Sequence, residues 1–542
     1  MSKIAKNIAL GASKVDQDAI IELFIREIAK NPLKSEEKFA QLKKKFASKY
    51  SIDTFSNVRI VTKYLNLVKS GEIIKNPYLL RIFQKRKIRS LAGVSVITVL
   101  MKPYYCPGKC IFCPSEKDMP KSYLSNEPGA MRAVLNDFEP YRQVEARLKS
   151  LQNQGHSTDK IELIVLGGTF SAYPKAYQTA FIRQLYNALN GTKFRSLKEA
   201  QVYNESAKHR CVGLSLETRP DKITKQELHR FRQLGCTKIQ MGLQSLDDRI
   251  LKLNKRGEVV AQGIKALKLA RDAGFKISVH MMPNLLGSTP ESDYLMAKKL
   301  FEDEAYKPDF LKLYPCIVVP YSELEKIWKQ GGYQPYDDQT LRELIVRIKK
   351  IVPEFVRIDR LVRDIPGDSI LAGSLVTNLR QMVYEKRNHD SPWICRCIRC
   401  REIGGREIEA KNIHYKIQEF RASEGKDFFL AFEDQKNDKL LSLLRLRFPS
   451  YLFNGKRHFR PELQDAAVIR EVHTYGFQVE IGQTNQAATQ HLGLGRRLIQ
   501  EAEVITKKAG IKKIAVIAAV GTREYYRKWG YKSVGTYLVK NL

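Results

Sequence analysis

Three cysteines stand at C-x3-C-x2-C in the run Pro103-Tyr-Tyr-Cys106-Pro-Gly-Lys-Cys110-Ile-Phe-Cys113-Pro114. Thiolates are the soft ligands of iron–sulfur clusters, and a [4Fe–4S] cube held by three of them keeps one iron open to another ligand. A zinc knuckle needs a fourth Cys or His close by, and none occurs before His156. Three unrelated buried thiols are the bland alternative. A second triplet, C-x-C-x2-C, lies in Trp393-Ile-Cys395-Arg-Cys397-Ile-Arg-Cys400-Arg-Glu402 and suits zinc once a fourth ligand arrives. Cys316, His389 and His414 are candidates for that ligand, against free thiols as the alternative. A third stretch, Gln490-His491-Leu492-Gly493-Leu494-Gly495-Arg496, opens an amphipathic helix with Leu498, Ile499, Ala502 and Ile505 on one face. Backbone amides at such a helix start would cradle a pyrophosphate.

Elements must position these groups. Gly93–Met101 is a short apolar, β-branched run that reads as a strand buried on both faces, so the first cysteines follow a strand's C-terminal end. From 90 to about 320, strand runs alternate with helical patterns, which predicts parallel βαβ units. The strands expected are 90–101, 161–166, 211–216, 238–242, 276–282 and 310–319, enough for a partial barrel with its chemistry at the strands' C-terminal ends. Gly167-Gly168-Thr169-Phe170, Glu217-Thr-Arg219-Pro-Asp221, Met241-Gly-Leu-Gln244-Ser245 and His280-Met-Met-Pro-Asn284 follow successive strands. Any one polar residue there could be a helix cap; their recurrence argues for a site.

From Asp427 the texture changes to a hairpin pattern over 428–433 and 440–447, then strands at 467–475, 476–481 and 514–518. Ahead of the barrel, residues 16–69 are helical in period, with Ile20, Ile21, Phe24, Ile25 and Ile28 on one stripe and Phe39, Leu42 and Phe46 on another. The expected division is 1–89 basic helical region, 90–385 barrel, 386–420 cysteine-rich linker and 421–542 C-terminal α/β domain.

The balance of 93 Lys and Arg against 58 Asp and Glu, net +35, points to a polyanionic partner. Residues 1–100 hold 20 cations against 8 acids, and Arg81-Ile-Phe-Gln-Lys85-Arg86-Lys87-Ile-Arg89 concentrates them among apolar residues, as phosphate-backbone binding needs. A solvated helix face is the alternative. No apolar run approaches the roughly 20 residues of a membrane span and no signal-peptide core opens the chain, so a cytoplasmic location is expected. Six of nine cysteines in two tight clusters suit metal binding in a reducing compartment better than disulfides.

The first cysteine loop resembles the radical S-adenosylmethionine (SAM) superfamily, whose signature is this spacing after the first strand of a β/α barrel. That resemblance implies SAM chelated at the open iron, with Gly167, Gly168 and Thr169 meeting its amino group and Glu217, Arg219 and Gln244 near its polar groups. Met119-Pro-Lys121-Ser-Tyr123…Glu127-Pro-Gly-Ala-Met131-Arg-Ala133 is similar to the Elongator catalytic subunit family, tRNA wobble-uridine acetyltransferases. Lys312-Leu-Tyr-Pro315 and Arg363-Asp-Ile-Pro366 extend the likeness. Ser115-Glu116 replaces the family's usual two glycines, and Cys106 and Cys110 stand closer than in eukaryotic members, which suggests an archaeal or bacterial-like member.

Q-x-x-G-x-G followed by Gly521-Thr-Arg-Glu-Tyr525-Tyr526 resembles GCN5-related N-acetyltransferases. This implies Gln490, His491, Leu492, Gly493, Leu494, Gly495 and Arg496 at the acetyl-CoA pyrophosphate, and Tyr525 and Tyr526 as the catalytic tyrosine pair near the thioester; Lys160 and Lys312 are further candidate cofactor contacts, Lys312 from the Elongator-like motif. Packing in the core is the bland reading of each tyrosine. The resemblance also makes the Cys395, Cys397 and Cys400 triplet a structural zinc site. The fold class expected is α/β, a partial radical SAM barrel with a basic helical N-terminal module and a C-terminal acetyltransferase domain.

What the resemblance implies is a tRNA-modifying enzyme that uses SAM radical chemistry and acetyl-CoA to install a carboxymethyl group at carbon 5 of the wobble uridine. Two other readings stand beside it: a lysine acetyltransferase with a purely structural cluster, and a tRNA-binding scaffold without turnover. The electron donor is unnamed by any motif, and a homodimer is one open assembly.

Overall fold

The structure is a computed structural model that describes residues 16–31, 33, 35–84, 92–375, 379, 383, 393–404, 408–476 and 492–542. It divides into two compact units: the described residues of Met1–Leu91 with Ala146–Thr158, and those of Ala92–Glu145 with Asp159–Leu542. Among the described residues no helix is long and apolar enough to cross a membrane.

The first unit is helical because its sequence supplies starts and stripes together. Asp16, Ser35, Ser56 and Asn76 each accept a hydrogen bond from a first-turn amide of the helices Gln17–Lys30, Glu36–Lys49, Asn57–Lys69 and Pro77–Phe83. Ile20, Ile21, Phe24, Ile25 and Ile28 are fully buried, as their spacing predicts. Phe24 meets Phe39, Phe46 and Phe55 at 5.9, 5.2 and 5.2 Å between ring centres. Each such apolar side chain contributes about 1.5–3 kcal/mol by leaving water. The Lys85–Arg89 cation run lies outside the described residues.

The second unit holds two seven-stranded sheets. In the first, β1 (Ser95–Leu100), β2 (Lys160–Leu166), β3 (Arg210–Thr218), β4 (Lys238–Gln244), β5 (Lys276–Met281), β6 (Phe310–Leu313) and β7 (Arg357–Arg360) follow one another in sequence order, all parallel. This is the expected partial barrel with one strand more. The additional strand reads Arg-Ile-Asp-Arg, which has no apolar run to announce it. β6 stops at Leu313, short of the expected 319 and two residues before Pro315.

The barrel's concave face is polar. Glu162 on β2 reaches Lys238 on β4 across the intervening strand, and the Gln240 amide on β4 donates to Ser215 on β3 at 2.7 Å. A Cβ on Gly213, between that pair, would fall 3.2 Å from the Glu162 side chain, so glycine clears the path of the ion pair.

The second sheet runs β13 (Lys532–Val534), β14 (Tyr537–Asn541), β12 (Lys513–Val516), β11 (Ala466–Thr474), β10 (Lys439–Phe448), β9 (Gly425–Asp434) and β8 (Ile413–Ala422) in spatial order. β11 and β12 are its parallel neighbours and pair over four residues only, Ala466 to Ile469, after which β11 runs on to Thr474 paired with β10 on its other side. β8 falls largely within the stretch expected as linker, so this sheet begins earlier in the chain than 421. Of the strand expected at 476–481, only Gly476 is described, bridged to Ala92.

This second sheet packs on the N-terminal ends of the barrel strands through buried ion pairs. Arg447 donates to Asp272 at 2.6 Å, Arg271 to Asp427 at 2.8 Å and Arg470 to Asp309 at 3.0 Å, all on side chains almost fully removed from water. The cations around Asp309 hold its carboxyl well below the usual range despite burial. Such groups are stable only as a matched set, since loss of one partner leaves an unpaired buried charge.

Candidate active sites at the two ends of the barrel

The Cys106–Cys113 loop follows β1 as expected. Cys110 is buried; Cys106 and Cys113 are half-buried, and the Cys106 sulfur lies 3.5 Å from the Thr169 hydroxyl. Two buried arginines close on this loop. Arg256 points Nη1 at the Cys110 sulfur, 3.5 Å away, and its Nη2 donates to the Gly242 carbonyl at 2.7 Å. Arg219 pairs with Asp221 and Glu258, each at 3.0 Å, while its Nη1 is buried with no hydrogen-bond partner. A hydrogen bond with Cys113 and the two arginines draw the Cys110 thiol down to about 5, against its burial. A site rich in buried cations and a low-pKa thiol fits the anionic thiolates and sulfides of an iron–sulfur cluster.

Around this loop the strand ends converge. Gly167 and Gly168 take φ of +126° and +90°, and a Cβ on Gly167 would fall 3.1 Å from Met101, so this turn requires glycine. Gln244 ends β4 at φ +66° with its side-chain amide oxygen Oε1 buried and unpartnered. That oxygen and Arg219 Nη1 are polar atoms awaiting a ligand, one acceptor and one donor, as a SAM amino group and carboxylate would require.

Glu217 accepts from the Tyr123 hydroxyl at 3.1 Å and lies 3.7 Å from His280 Nδ1; burial raises its carboxyl. Lys312 reaches Gln240, and burial lowers its amine to about 8. His280 is kept neutral, chiefly by burial and then by the charge of Lys312. Arg363 grips Glu127 through two nitrogens, at 2.8 and 3.1 Å, and stacks over Tyr123. The distant motifs around 121–133 and 363–366 are therefore two halves of one contact.

The other site lies on the second sheet. Gly493, at φ +68°, precedes the helix Leu494–Lys508. A Cβ on Gly495 would fall 3.5 Å from the Tyr525 hydroxyl and 3.6 Å from both Thr474 and Val472, on the part of β11 that runs past its pairing with β12. Helix start, splayed strand and Tyr525 thus meet at one place. Tyr525 is 40% exposed, whereas Tyr526 is 7% exposed and packs in the core against Tyr531. Burial raises both hydroxyls. Arg496 stacks on Trp529 at 4.2 Å, Leu494 is core and Leu492 is partly exposed. Gln490 and His491 lie outside the described residues. Lys160 stands at the start of β2, the end of the barrel away from the cysteine loop and on the side of the second sheet.

Among the described residues, Cys395, Cys397 and Cys400 form the thiol triplet whose sulfurs all lie within 4.8 Å of one another, the span of ligands to a single ion. Their neighbour is Lys349, with Nζ 3.4 Å from Cys395 and 3.6 Å from Cys400. Cys316 instead lies in the barrel core beside Ile111 and Tyr333, His414 is exposed on β8, and His389 is outside the described residues. Sequence reasoning missed Lys349 because it reads as a last-turn cation of the helix Asp338–Lys350. Arg256 and Glu258 were missed likewise; their one signal is the compact Lys255-Arg-Gly-Glu258 turn.

The radical SAM superfamily description matches residues 102–298, and the radical SAM C-terminal domain matches 308–388. The chain is 43% identical over 479 residues to the tRNA uridine(34) acetyltransferase of Methanocaldococcus infernus, covering 86% of this chain and 88% of that one. Against Elongator complex protein 3 of Danio rerio it is 39% identical over 474 residues, 84% of this chain and 85% of that one. The solved structure of M. infernus Elp3 with an N-terminal deletion matches with a TM-score of 0.74 at 39% identity, covering 83% of this chain and 100% of that one. Paired motifs at 121–133 and 363–366, a cysteine loop above a parallel half-barrel and relatives of this likeness across most of the chain make it a member of the Elongator complex protein 3 family.

Proposed function

We infer that this protein modifies the wobble uridine of tRNA, using SAM and acetyl-CoA to place a carboxymethyl group on carbon 5. The observation that carries the reading is the fusion of two sites in one unit: a cysteine loop ringed by buried cations on a parallel half-barrel, and a splayed-strand, helix-start site on the sheet locked beneath it. An acetyltransferase acting on an amine needs only the second. A relative of this similarity carries the name tRNA uridine(34) acetyltransferase.

When bound, the cluster and SAM together supply a 5′-deoxyadenosyl radical able to activate an unreactive C–H bond. Cys106, Cys110 and Cys113 hold the cluster, Arg256 offsets its charge, and Arg219 meets the SAM carboxylate. Gly167, Gly168, Thr169, Glu217 and Gln244 orient SAM by backbone and side-chain polar groups. At the other site the amides of Leu494, Gly495 and Arg496 receive the acetyl-CoA pyrophosphate, with Lys160 as a further cation. Tyr525 supplies the hydroxyl nearest the thioester. Cys395, Cys397 and Cys400 hold a structural zinc, and the basic N-terminal helices contribute to tRNA binding.

Protein reconstituted without oxygen, given reductant, SAM, methyl-labelled acetyl-CoA and tRNA, is expected to yield labelled carboxymethyluridine by nucleoside mass spectrometry. The label must vanish in the Cys106→Ser, Cys110→Ser and Cys113→Ser variants. Label in protein lysines alone, or nowhere, overturns the reading.

A further inference from the structure

Just before Cys106 the chain displays Tyr104 and Tyr105, 43% and 71% exposed. Tyrosines so open beside a buried metal loop contribute little to the core, and the geometry of Tyr104 is specific. Its ring stacks on Tyr173 at 4.8 Å between centres and 27° between planes; Tyr173 stacks on Tyr177 at 5.2 Å and 20°, and Tyr177 leans on Phe181 at 5.7 Å. The result is an aromatic ladder with a buried foot and an open top. Tyr173 is 4% exposed, and its hydroxyl donates to the Lys102 carbonyl at 2.7 Å, which fixes the ladder to the loop. The same hydroxyl lies 3.3 Å from the Gly167 carbonyl, at the glycine turn beside the cysteines.

The ladder is also cationic. Lys102 Nζ lies 5.0 Å from the Tyr177 ring centre, Lys102, Lys109 and Lys175 are exposed, and residues 102–113 contain no acid. A flat ring whose inner face is already stacked, with lysines close by, is complementary to one chemistry above others: a nucleobase carried on a phosphate backbone. An enzyme acting on a base must hold it out of its stack, and the neighbouring bases then need a new surface.

We propose that Tyr104 and Tyr105 form a stacking platform for an unpaired nucleotide adjacent to the target base of the RNA substrate. This rests on the tRNA reading above. The platform holds the flanking base, and the exposed lysines hold its phosphate, so the target base is left free to enter the barrel mouth.

The test uses full-length protein and an anticodon stem-loop RNA at fixed salt, read by fluorescence anisotropy. Tyr104→Ala and Tyr105→Ala are each expected to weaken binding roughly 5- to 100-fold, as loss of one stacked base does, with the salt slope unchanged. Tyr104→Phe and Tyr105→Phe are expected to bind as the wild type does, because the face and not the hydroxyl is used. As a second readout, 2-aminopurine placed beside the wobble uridine is expected to be quenched by wild type and by Tyr104→Phe, and less by Tyr104→Ala. Equal RNA affinity and equal quenching in the Ala variants overturn the platform while leaving the tRNA reading intact. Weakened SAM binding with unchanged RNA affinity would assign the rings to the cofactor and overturns it too. Wild type that binds no stem-loop overturns both.

Discussion

Arg256 directs Nη1 at the Cys110 sulfur from 3.5 Å, and Glu258, 2.8 Å from its Nε, holds it there. Hydrogen bonds to sulfur and nearby charge are the protein's means of setting a cluster's potential. Arg256→Gln removes a cation from beside the thiolate, so adding an electron to the reconstituted cluster becomes harder. Spectroelectrochemical titration is expected to show the reduction potential moved to more negative values with iron content retained, and Arg256→Lys is expected to fall between variant and wild type. An unmoved potential would make Arg256 a structural residue only.

Much of this architecture is legible before any coordinates. Apolar β-branched runs locate six of the seven parallel strands, because each strand buries at least one apolar face; β1 and β2 alternate buried with less buried positions, so the reading of the first strand as buried on both faces does not hold. β7 escapes because three of its four residues, Arg357, Asp359 and Arg360, are charged; Arg357 is buried against Glu402, a partner that only the fold brings to it. β8 escapes for a related reason: half of its side chains are exposed and one alone is buried, so Ile413–Ala422 reads as a polar tether. At the sites, local motifs announce the cysteines and glycines. The groups that tune them, Arg256, Gln240 and Lys349, come from separate elements and carry no local spacing. The tyrosine pair is a different case, in which sequence names both residues and burial distinguishes them.

That distinction is testable. The Tyr525 hydroxyl faces the helix start, so Tyr525→Phe is expected to lower the rate of carboxymethyluridine formation from acetyl-CoA by about 10²- to 10⁴-fold, the usual contribution of a positioned proton donor, with the melting temperature unchanged. Tyr526→Phe keeps the core filled and is expected to retain activity within a few-fold. Tyr526→Ala opens a cavity and is expected to cost about 3–5 kcal/mol in stability. A larger loss of turnover in Tyr526→Phe than in Tyr525→Phe would reverse the assignment.

Lys349 lies against the sulfurs of Cys395 and Cys400 with a neighbouring tryptophan, Trp393, 5.8 Å from its Nζ. Whether its amine binds the metal when neutral or donates to the thiolates when charged, the site depends on it. Lys349→Met is expected to lower zinc affinity at least about 10-fold by competition with a chelator. Cobalt substitution then separates the two roles: a ligand-field band that moves between wild type and variant marks direct coordination, and an unmoved band marks donation. Unchanged zinc affinity would remove Lys349 from the site.

The ion pair inside the barrel makes a prediction about acid. Burial pushes the Glu162 carboxyl up, but Lys238 and Lys276 pull it down further, from an ordinary 4.5 to about 2. The folded state therefore prefers the charged form more than the unfolded chain does. Its contribution is fully present above pH 4.5, where both states are ionised, and is lost as pH falls toward 2 and the folded protein is forced to take up the proton. At 1.36 kcal/mol per unit this amounts to about 3 kcal/mol. Glu162→Gln is expected to be destabilised at pH 7, where Lys238 loses its partner, and to lose less stability than wild type between pH 5 and 3. Parallel curves of unfolding midpoint against pH for the two proteins would show that Glu162 takes no part in the acid response, and would move that response to carboxylates such as Asp309 at the foot of the barrel.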